Sequence, residues 1–265
     1  MPPSPESPSV AVERALAMLE AVAQEPEGLS NAEISRKLKM PKSSASYILR
    51  TLETQAYLNR DPETGKYRVG LKILSLSRGA LSGIDVREVA LPVMRHLMAK
   101  THLTCHLAIL DGPDAVYIEK VEPDGFLRVD TWVGRRMRVH ATSVGKALVA
   151  FIPEERLEKI LSERGMEKRT PKTITNLPRL LKELEKVRAQ GYAVDDEENN
   201  LAARCVGAPV FNQQGAIEAS LGLSGTTNQV NAHTMPRIVE ALKDAARHIS
   251  MQLGYRAPHR RASGA

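Results

Sequence analysis

Apolar residues recur every three or four positions in three successive segments of the first 54 residues. This spacing predicts an amphipathic helix over residues 10–24. A second helix, ending near Lys39, begins at Ser30–Glu33, because S-x-x-E is the form of a capping box. The third helix follows the Met40-Pro41 turn and occupies residues 42–53. Two short helices joined by a tight turn are typical of a helix-turn-helix.

Two strand-like segments after the third helix predict a β-hairpin. Residues 57–58 and 67–69 flank the sequence DPETG, whose proline and glycine are suited to a turn. Three helices and a hairpin predict a winged helix-turn-helix domain over residues 10–70. Residues 1–9, rich in proline and serine, predict a disordered leader, and residues 71–83 predict a linker helix.

The polar face of the third helix carries basic residues and small serines. Five basic residues and no acidic residue lie between Ile34 and Leu52, so positive charge is concentrated there. Serines let a helix sit deep in the major groove, and basic side chains bind phosphates or guanine edges. These residues could instead coat a solvated helix, but the order of cap, turn, helix and basic hairpin favours DNA contact. The predicted DNA-binding residues are Lys42, Ser43, Ser44, Ser46, Tyr47, Arg50, Arg60, Lys66 and Arg68.

Residues 84–254 alternate between strand and helix patterns without strict βαβ order. This arrangement predicts an α+β domain built on an antiparallel sheet, followed by a basic disordered tail at 255–265. The predicted helices are 85–102, 153–164, 177–190 and 228–253, with another after the loop at 134–142. The predicted strands are 104–110, 115–121, 126–133, 204–211 and 216–224.

Composition excludes several classes of protein. The longest apolar runs are too short to span a membrane, and the N-terminus has neither the basic start nor the apolar core of a signal peptide. Two cysteines, Cys105 and Cys205, fit a reduced cytoplasm and cannot form the common four-ligand zinc sites. We therefore expect a cytoplasmic protein without a metal or other cofactor.

Three local motifs suggest chemistry, and each is weak. Ser143 and Lys146 match the S-x-x-K nucleophile motif, but the S-D-N and K-T-G partners are missing. Gly145-Lys146 resembles the end of a phosphate-binding loop that lacks its first glycine. Residues 195–198 (DDEE) could hold a metal ion, although acidic runs are more often solvated loops. A hydrolase-like enzyme with an accessory DNA-binding domain stays open as the alternative function.

The long segment GYAVDDEENNLAARCVGAPVFN (residues 191–212) resembles the signature of the IclR family of bacterial transcriptional regulators. The N-terminal segments GLSNAEISRKLKMPKSSASYILRTLE and GKYRVGLKILSL look like that family's winged helix. VHATSVGKALVA and SLGLSG are similar to its other recurrent segments. The resemblance covers about residues 10–254.

The resemblance implies a GAF-like effector domain and a dimer or tetramer on operator DNA. The effector would be a small organic acid or aromatic metabolite, bound by residues that match the family's pocket: Ser143, Val144, Asp195, Cys205, Gly222 and Ser224. Family members often have serine at position 222 and glycine at position 202. The absence of that serine argues against glyoxylate or pyruvate and favours a larger or more apolar effector.

The sequence therefore predicts a DNA-binding transcriptional regulator whose affinity is modulated by a small effector, acting as a homodimer or homotetramer away from the membrane. A further alternative is a ligand-binding module whose winged helix only dimerises. The acid-free basic run around the third helix argues against that reading.

Overall fold

A computed structural model describes residues 9–81, 85–124 and 130–256 of the chain. The chain divides into two compact units, Met1–Gly83 and Ile84–Ala265. Most of the predicted leader and tail, residues 1–8 and 257–265, lie outside the described residues.

The N-terminal unit is the predicted winged helix-turn-helix. Its capping box is formed: Ser30 Oγ accepts from the Glu33 N–H at 3.3 Å, and Glu33 Oε2 accepts from the Ser30 N–H at 2.8 Å. Met18, Ile34, Leu49 and Leu58 are fully buried and hold the helices against the hairpin. The elements of this unit are α1 (Val10–Ala23), α2 (Asn31–Lys37), α3 (Lys42–Thr54), β1 (Leu58–Arg60), β2 (Tyr67–Val69) and α4 (Lys72–Leu81).

The C-terminal unit is built on one six-stranded antiparallel sheet, which confirms the predicted α+β class. Its strands run in the order β5-β4-β3-β8-β7-β6. The elements are α5 (Asp85–Thr101), β3 (Thr104–Asp111), β4 (Asp114–Val121), β5 (Arg136–Arg138), α6 (Ser143–Val149), α7 (Glu154–Arg164), α8 (Leu177–Gln190), β6 (Ala193–Asp196), β7 (Ala203–Phe211), β8 (Ile217–Thr226) and α9 (Met235–Gln252).

Glycines let helix α6 lie directly on one face of the sheet. A Cβ added at Gly207 in β7 would lie 2.7 Å from the carbonyl carbon of Ser143, and one at Gly222 in β8 would lie 2.5 Å from Val144 Cγ1. Alternate strand residues, among them Leu221 and Leu223, point to the opposite face and are fully buried. Helices α5 and α9 pack against each other, and α9 packs against β7.

Three sequence predictions for this unit need correction. Of the strand expected at 126–133, residues 126–129 lie outside the described residues, and 130–133 form no strand. Strands β5 and β6 were not predicted, because three residues are too few for a pattern and because charged residues occupy β6. The last helix begins at Met235 and not at Asn228, since the Asn231 side chain accepts the N–H groups of His233 and Thr234 in a preceding turn.

Among the described residues, no helix combines the length and the apolar character that crossing a membrane would require.

Candidate functional site

Helix α3 presents the predicted polar face to solvent. Lys42, Ser43 and Arg50 are exposed, and Tyr47 is 78% exposed. The Lys42 ammonium and the Arg50 guanidinium have no ion-pair partner among residues 9–81, 85–124 and 130–256. Ser44 and Ser46, also predicted to contact DNA, are half-buried.

Core packing fixes the orientation of this helix. On its opposite face Ala45, Leu49 and Leu52 are buried, while Ile48 is only partly buried. The Asn31 side chain of α2 donates to the Lys42 carbonyl oxygen at 3.4 Å and ties the two helices together. The helix is therefore held so that its cationic face remains free.

The wing carries the three remaining predicted contacts. Cross-strand pairing places Arg60 opposite Tyr67, with the guanidinium 5.7 Å above the ring. Arg68 is exposed and 3.9 Å from the exposed Glu27 carboxylate, and Lys66 is half-buried at the turn. Asp61 Oδ1 accepts the Thr64 N–H at 2.9 Å, a bond that lowers the pKa of Asp61 and shapes the turn.

The C-terminal unit contains a cavity of about 320 Å³ on the α6 side of its sheet. Its walls come from five strands (β4, β5, β6 and the adjoining ends of β7 and β8), the start of α6, the β6–β7 loop and the segment at 130–135. The lining residues are Tyr117, Asp130, Thr131, Arg135, Met137, Thr142, Ser143, Asp195, Asn199, Asn200, Ala203, Cys205, Ser224 and Gly225.

Four of the six predicted effector-binding residues line this cavity, and strand register brings three of them together. Asp195 in β6 pairs with Cys205 in β7, and Cys205 pairs with Ser224 in β8. Directly opposed residues in adjacent strands point to the same face of a sheet. Ser143, at the first turn of α6, is the fourth.

Val144 and Gly222, the other two predicted residues, lie beside the cavity and do not line it. They pack against each other, because the absent Cβ of Gly222 leaves the space that Val144 Cγ1 occupies. A side chain at position 222 would therefore collide with Val144. Their contact with an effector stays a prediction.

Asp195 is the most perturbed acid of the cavity. It is 3% exposed, and burial raises the pKa of its carboxyl from the ordinary 3.8 to about 7. Its Oδ1 accepts the backbone N–H groups of Glu198 at 2.8 Å and Asn199 at 3.2 Å, which favours the ionised form. Asp195 therefore exchanges its proton near neutral pH and can accept or donate a hydrogen bond to a ligand.

Cys205 contributes a neutral thiol. Burial raises its pKa to about 12, and the neighbouring Asp195 carboxyl adds to the shift. The thiolate is the nucleophilic form of cysteine, so this residue acts as a small polarisable wall of the cavity.

His106 is a neighbour of the cavity whose role the sequence did not show. Its Nε2 lies 2.7 Å from Thr131 Oγ1 and its Nδ1 lies 3.4 Å from Ser224 Oγ, while the ring stacks on Tyr117 at 4.4 Å. Burial, with Lys120 and Arg135 nearby, lowers the pKa of His106 to about 3, so the ring is neutral. Alternation along β3 could have indicated that His106 faces the same side as Ala108, but not which groups it meets.

The segment 130–135 contributes Asp130, Thr131 and Arg135 to the lining of the cavity. The Arg135 guanidinium lies 4.6 Å above the Trp132 ring and donates to the Asp130 carbonyl oxygen. The Lys120 ammonium donates to the Thr131 carbonyl oxygen at 2.9 Å. These contacts hold the Arg135 guanidinium at a cavity that is also lined by the Asp195 carboxyl.

Lys146 of the S-x-x-K motif is a structural residue. It is fully buried, and its Nζ donates to Glu198 Oε1 at 2.6 Å and to the Val194 carbonyl oxygen. Its ammonium is therefore engaged by β6 and the β6–β7 loop, and is not directed at Ser143 as a base would be. Within the described ranges, no group of three or more His, Cys, Asp or Glu side chains could hold a metal ion.

A larger groove of about 720 Å³ crosses α8, β7 and α9. Phe151, Phe211 and Tyr255 form an aromatic row along it, with ring centroids 5.0 and 5.2 Å apart. None of the predicted site residues lies in this groove. The smaller cavity is the better candidate, because buried polar groups converge there.

Two family sequence models match the chain. The model described as the IclR helix-turn-helix domain matches residues 11–62, and that of the bacterial transcriptional regulator IclR C-terminal domain matches residues 78–251. The transcriptional regulator XynR of Escherichia coli K12 is 36% identical over 244 residues, covering 92% of this chain and 97% of the relative. The regulator KdgR of Dickeya chrysanthemi is 36% identical over 251 residues, covering 95% and 82%.

Solved structures share the fold. The Thermotoga maritima IclR structure has a TM-score of 0.77 and 32% identity, and covers 92% of this chain and 98% of its own. An IclR homolog from Microbacterium hydrocarbonoxydans, complexed with 4-hydroxybenzoate, has a TM-score of 0.79 and 25% identity, with the same coverage. These relatives are regulators, and they give no support to the hydrolase alternative.

Proposed function

The chain belongs to the IclR family of bacterial transcriptional regulators, and from this premise we propose which of its residues contact operator DNA and effector. Its N-terminal part is the helix-turn-helix domain of that family, and its C-terminal part is the family's ligand-binding domain. Helix α3 enters the major groove, the β1–β2 wing contacts the adjacent backbone, and a small molecule in the cavity beside Asp195 changes the affinity for DNA.

The cationic face of α3 is the observation that carries the DNA-binding proposal. Lys42 and Arg50 extend from exposed positions, while the opposite face of the helix is buried. Ser44 and Ser46 have short, half-buried side chains, which let the helix approach base edges closely. Arg60, Lys66 and Arg68 add positive charge on the wing for phosphate contacts.

The polar cavity supports the effector proposal. It has room for a small organic molecule, and its lining residues come from five strands, the start of one helix and two loops. A related regulator of the same fold has bound 4-hydroxybenzoate. Effector binding of this kind typically shifts DNA affinity by about 5–150-fold.

Exposed apolar side chains on the N-terminal unit support a homodimer. Val12 and Leu16 lie one turn apart on α1 and are 57% and 55% exposed. Leu71 precedes α4 and is 76% exposed, and Leu74 on α4 is 63% exposed. Large apolar groups exposed in this number mark association surfaces. A two-fold dimer would present two α3 helices to a near-palindromic operator in the cytoplasm.

Selection from randomised duplex DNA tests the function. The full chain is expected to enrich a near-palindrome with half-sites about one helical turn apart, and footprinting on the enriched site should protect both halves. Failure to enrich any sequence over several rounds would overturn sequence-specific binding. Enrichment of an asymmetric single half-site would contradict the two-fold dimer.

Sedimentation tests the dimer surface directly. Leu74→Glu should shift the full chain toward smaller species and weaken binding to the enriched site, because a charge would be buried against the partner. Leu201→Glu is the matched control, since Leu201 is 64% exposed on the C-terminal unit. Equal behaviour of the two variants would contradict the assigned surface.

A further inference from the structure

We propose that the cavity beside Asp195 binds a small polyhydroxylated carboxylate, a sugar acid, in preference to an aromatic acid. This inference rests on the proposed function and names the chemical class of its effector. The ligand's carboxylate would bind Arg135, and its hydroxyl groups would bind other polar side chains of the lining, among them Asp195, Asn199 and Ser224.

Hydrogen-bonding side chains reach the cavity from several elements. Its polar lining comes from the helix start, the sheet, the β6–β7 loop and the segment 130–135, and includes Thr131, Ser143, Asp195, Asn199, Asn200 and Ser224. Apart from the Tyr117 ring, Met137, Ala203 and Cys205 are its main apolar contributors. A site selective for a benzene ring would instead offer two apolar walls to the faces of the ring.

The cost of unpaired polar groups decides between the two classes. Ser224 already lies 3.4 Å from His106 Nδ1, but a ring with one or two polar substituents would cover the second oxygen of Asp195 and the Asn199 side chain without giving each a hydrogen bond. Buried donors and acceptors left without partners oppose binding strongly, and sites of this kind reject ligands that lack the matching hydroxyl. A ligand with a hydroxyl on each carbon would satisfy several of these groups at once.

Arg135 is placed to bind a carboxylate. Its guanidinium lies 4.6 Å above the Trp132 ring, which fixes the plane of the fork. The side chain is 23% exposed, and its nearest acid, Asp130, is 3.9 Å away and 96% exposed, so that pair is weak. An arginine guanidinium binds a carboxylate through two parallel N–H···O bonds. The weak pair with Asp130 does not prevent Arg135 from forming them.

Asp195 is placed to bind hydroxyls. Its Oδ1 already accepts two backbone N–H groups, from Glu198 and Asn199, and is held in position by them. Its second oxygen belongs to a residue that lines the cavity, next to Ser224 and Cys205 in strand register. The ionised form of Asp195 would repel a ligand carboxylate, which favours binding of that carboxylate by Arg135.

The volume agrees with this class. A cavity of about 320 Å³ accommodates a chain of five or six carbons and leaves space for bridging water. Selectivity within this volume therefore depends on the polar groups and the charges of the lining.

Calorimetric titration of the full chain with three probes tests the proposal. D-Gluconate should bind at least tenfold more tightly than D-glucitol, which has the same carbon chain without the carboxylate, and tenfold more tightly than 4-hydroxybenzoate. Arg135→Ala should weaken gluconate binding at least tenfold and leave glucitol binding within twofold. Arg136→Ala is the matched control, since Arg136 pairs with Asp111 and does not line the cavity.

Several results would overturn the proposal. Among the ligands, these are tighter binding of 4-hydroxybenzoate than of gluconate, equal binding of glucitol and gluconate, or no gluconate binding at millimolar concentration. Among the variants, it is an equal effect of Arg135→Ala and Arg136→Ala on gluconate binding. The proposed function is tested separately by DNA selection. A chain that binds its operator and responds to 4-hydroxybenzoate through the cavity would keep that function while refuting the sugar-acid class.

Discussion

Asp195 is a buried acid whose ionisation opposes folding. Its folded pKa of about 7 is above the ordinary 3.8, so the folded protein holds this proton more tightly than the unfolded chain does. The contribution of this residue to the free energy of unfolding is therefore complete below about pH 4 and is lost as the pH rises to about 7. Glu198, whose pKa burial also raises, acts in the same direction.

We predict that Asp195→Asn flattens this pH dependence. Asparagine Oδ1 can still accept the N–H groups of Glu198 and Asn199, but it never ionises. Urea denaturation should show the variant gaining stability relative to the wild type as the pH increases from about 4 to 7. The control Asp124→Asn replaces an exposed aspartate and should not reproduce this gain. Parallel curves for Asp195→Asn and wild type would refute the assignment.

Ala202 holds a backbone conformation that favours glycine. Its φ is +60°, in the β6–β7 loop that forms one wall of the cavity. The Ala202 N–H donates to Glu197 Oε1 at 2.9 Å, and Glu197 also has a positive φ of 60°. Left-handed backbone at a non-glycine residue costs about 1 kcal/mol or more.

Ala202→Gly should therefore stabilise the chain by about 0.5–1 kcal/mol. Ala216→Gly is the matched control, because Ala216 is exposed and is not among the residues with positive φ. The control should lose stability by a similar amount, since glycine only adds freedom to the unfolded chain there. Chemical denaturation measures both variants, and a loss of stability in Ala202→Gly would contradict the strain.

At the residue scale, the sequence predicted those residues that a helical period or a family motif identifies. The exposure of Lys42 and Arg50 was predictable, because helical periodicity separates them from Leu49 and Leu52. Asp195, Cys205 and Ser224 came from the family resemblance, and their adjacency depends on strand register that no local pattern encodes. For the same reason, the sequence did not indicate Arg135 or His106.

At the scale of elements, the contact between α6 and the sheet positions the cavity. Gly207 and Gly222 bring the helix backbone close to β7 and β8, and the Thr142 side chain caps it by accepting the Gly145 N–H at 3.2 Å. Ser143 begins the helix and lines the cavity. A change in this contact should therefore alter both stability and effector binding.

The Val144–Gly222 pair allows that contact to be tested by a double-mutant cycle. Gly222→Ser should lose about 1–3 kcal/mol, because the new Cβ would meet Val144 Cγ1 at 2.5 Å. Combining it with Val144→Ala should cost less than the sum of the two single losses, since alanine vacates the space. Additive losses in urea denaturation would show that the two side chains do not compete.

Helices were more predictable than strands. The capping box at Ser30 and the long periodic segments located most helices to within a few residues. Strand β6 was not predicted, because one of its inward-facing residues is Asp195. In a sequence an aspartate indicates a loop more often than a buried strand position. The start of α9 was misjudged, because the turn held by Asn231 has a helix-like composition.

At the scale of the whole molecule, the chain joins a DNA-binding unit to a ligand-binding unit. The two-unit organisation was predictable, because the basic winged-helix pattern ends before a long α+β pattern begins. Coupling between the units would be reciprocal: an effector that weakens DNA binding must itself bind less tightly when DNA is present.

We propose that α3 binds DNA through the exposed cations Lys42 and Arg50. The salt dependence of the affinity for the operator is the sharpest test of this proposal. Fluorescence anisotropy on the selected operator should show Lys42→Ala/Arg50→Ala binding at least tenfold more weakly, with a slope of log K against log salt shallower by roughly one to two. The matched double variant Arg156→Ala/Lys159→Ala removes two exposed cations from α7 and should behave like the wild type. Unchanged affinity and slope in the α3 variant would contradict the account.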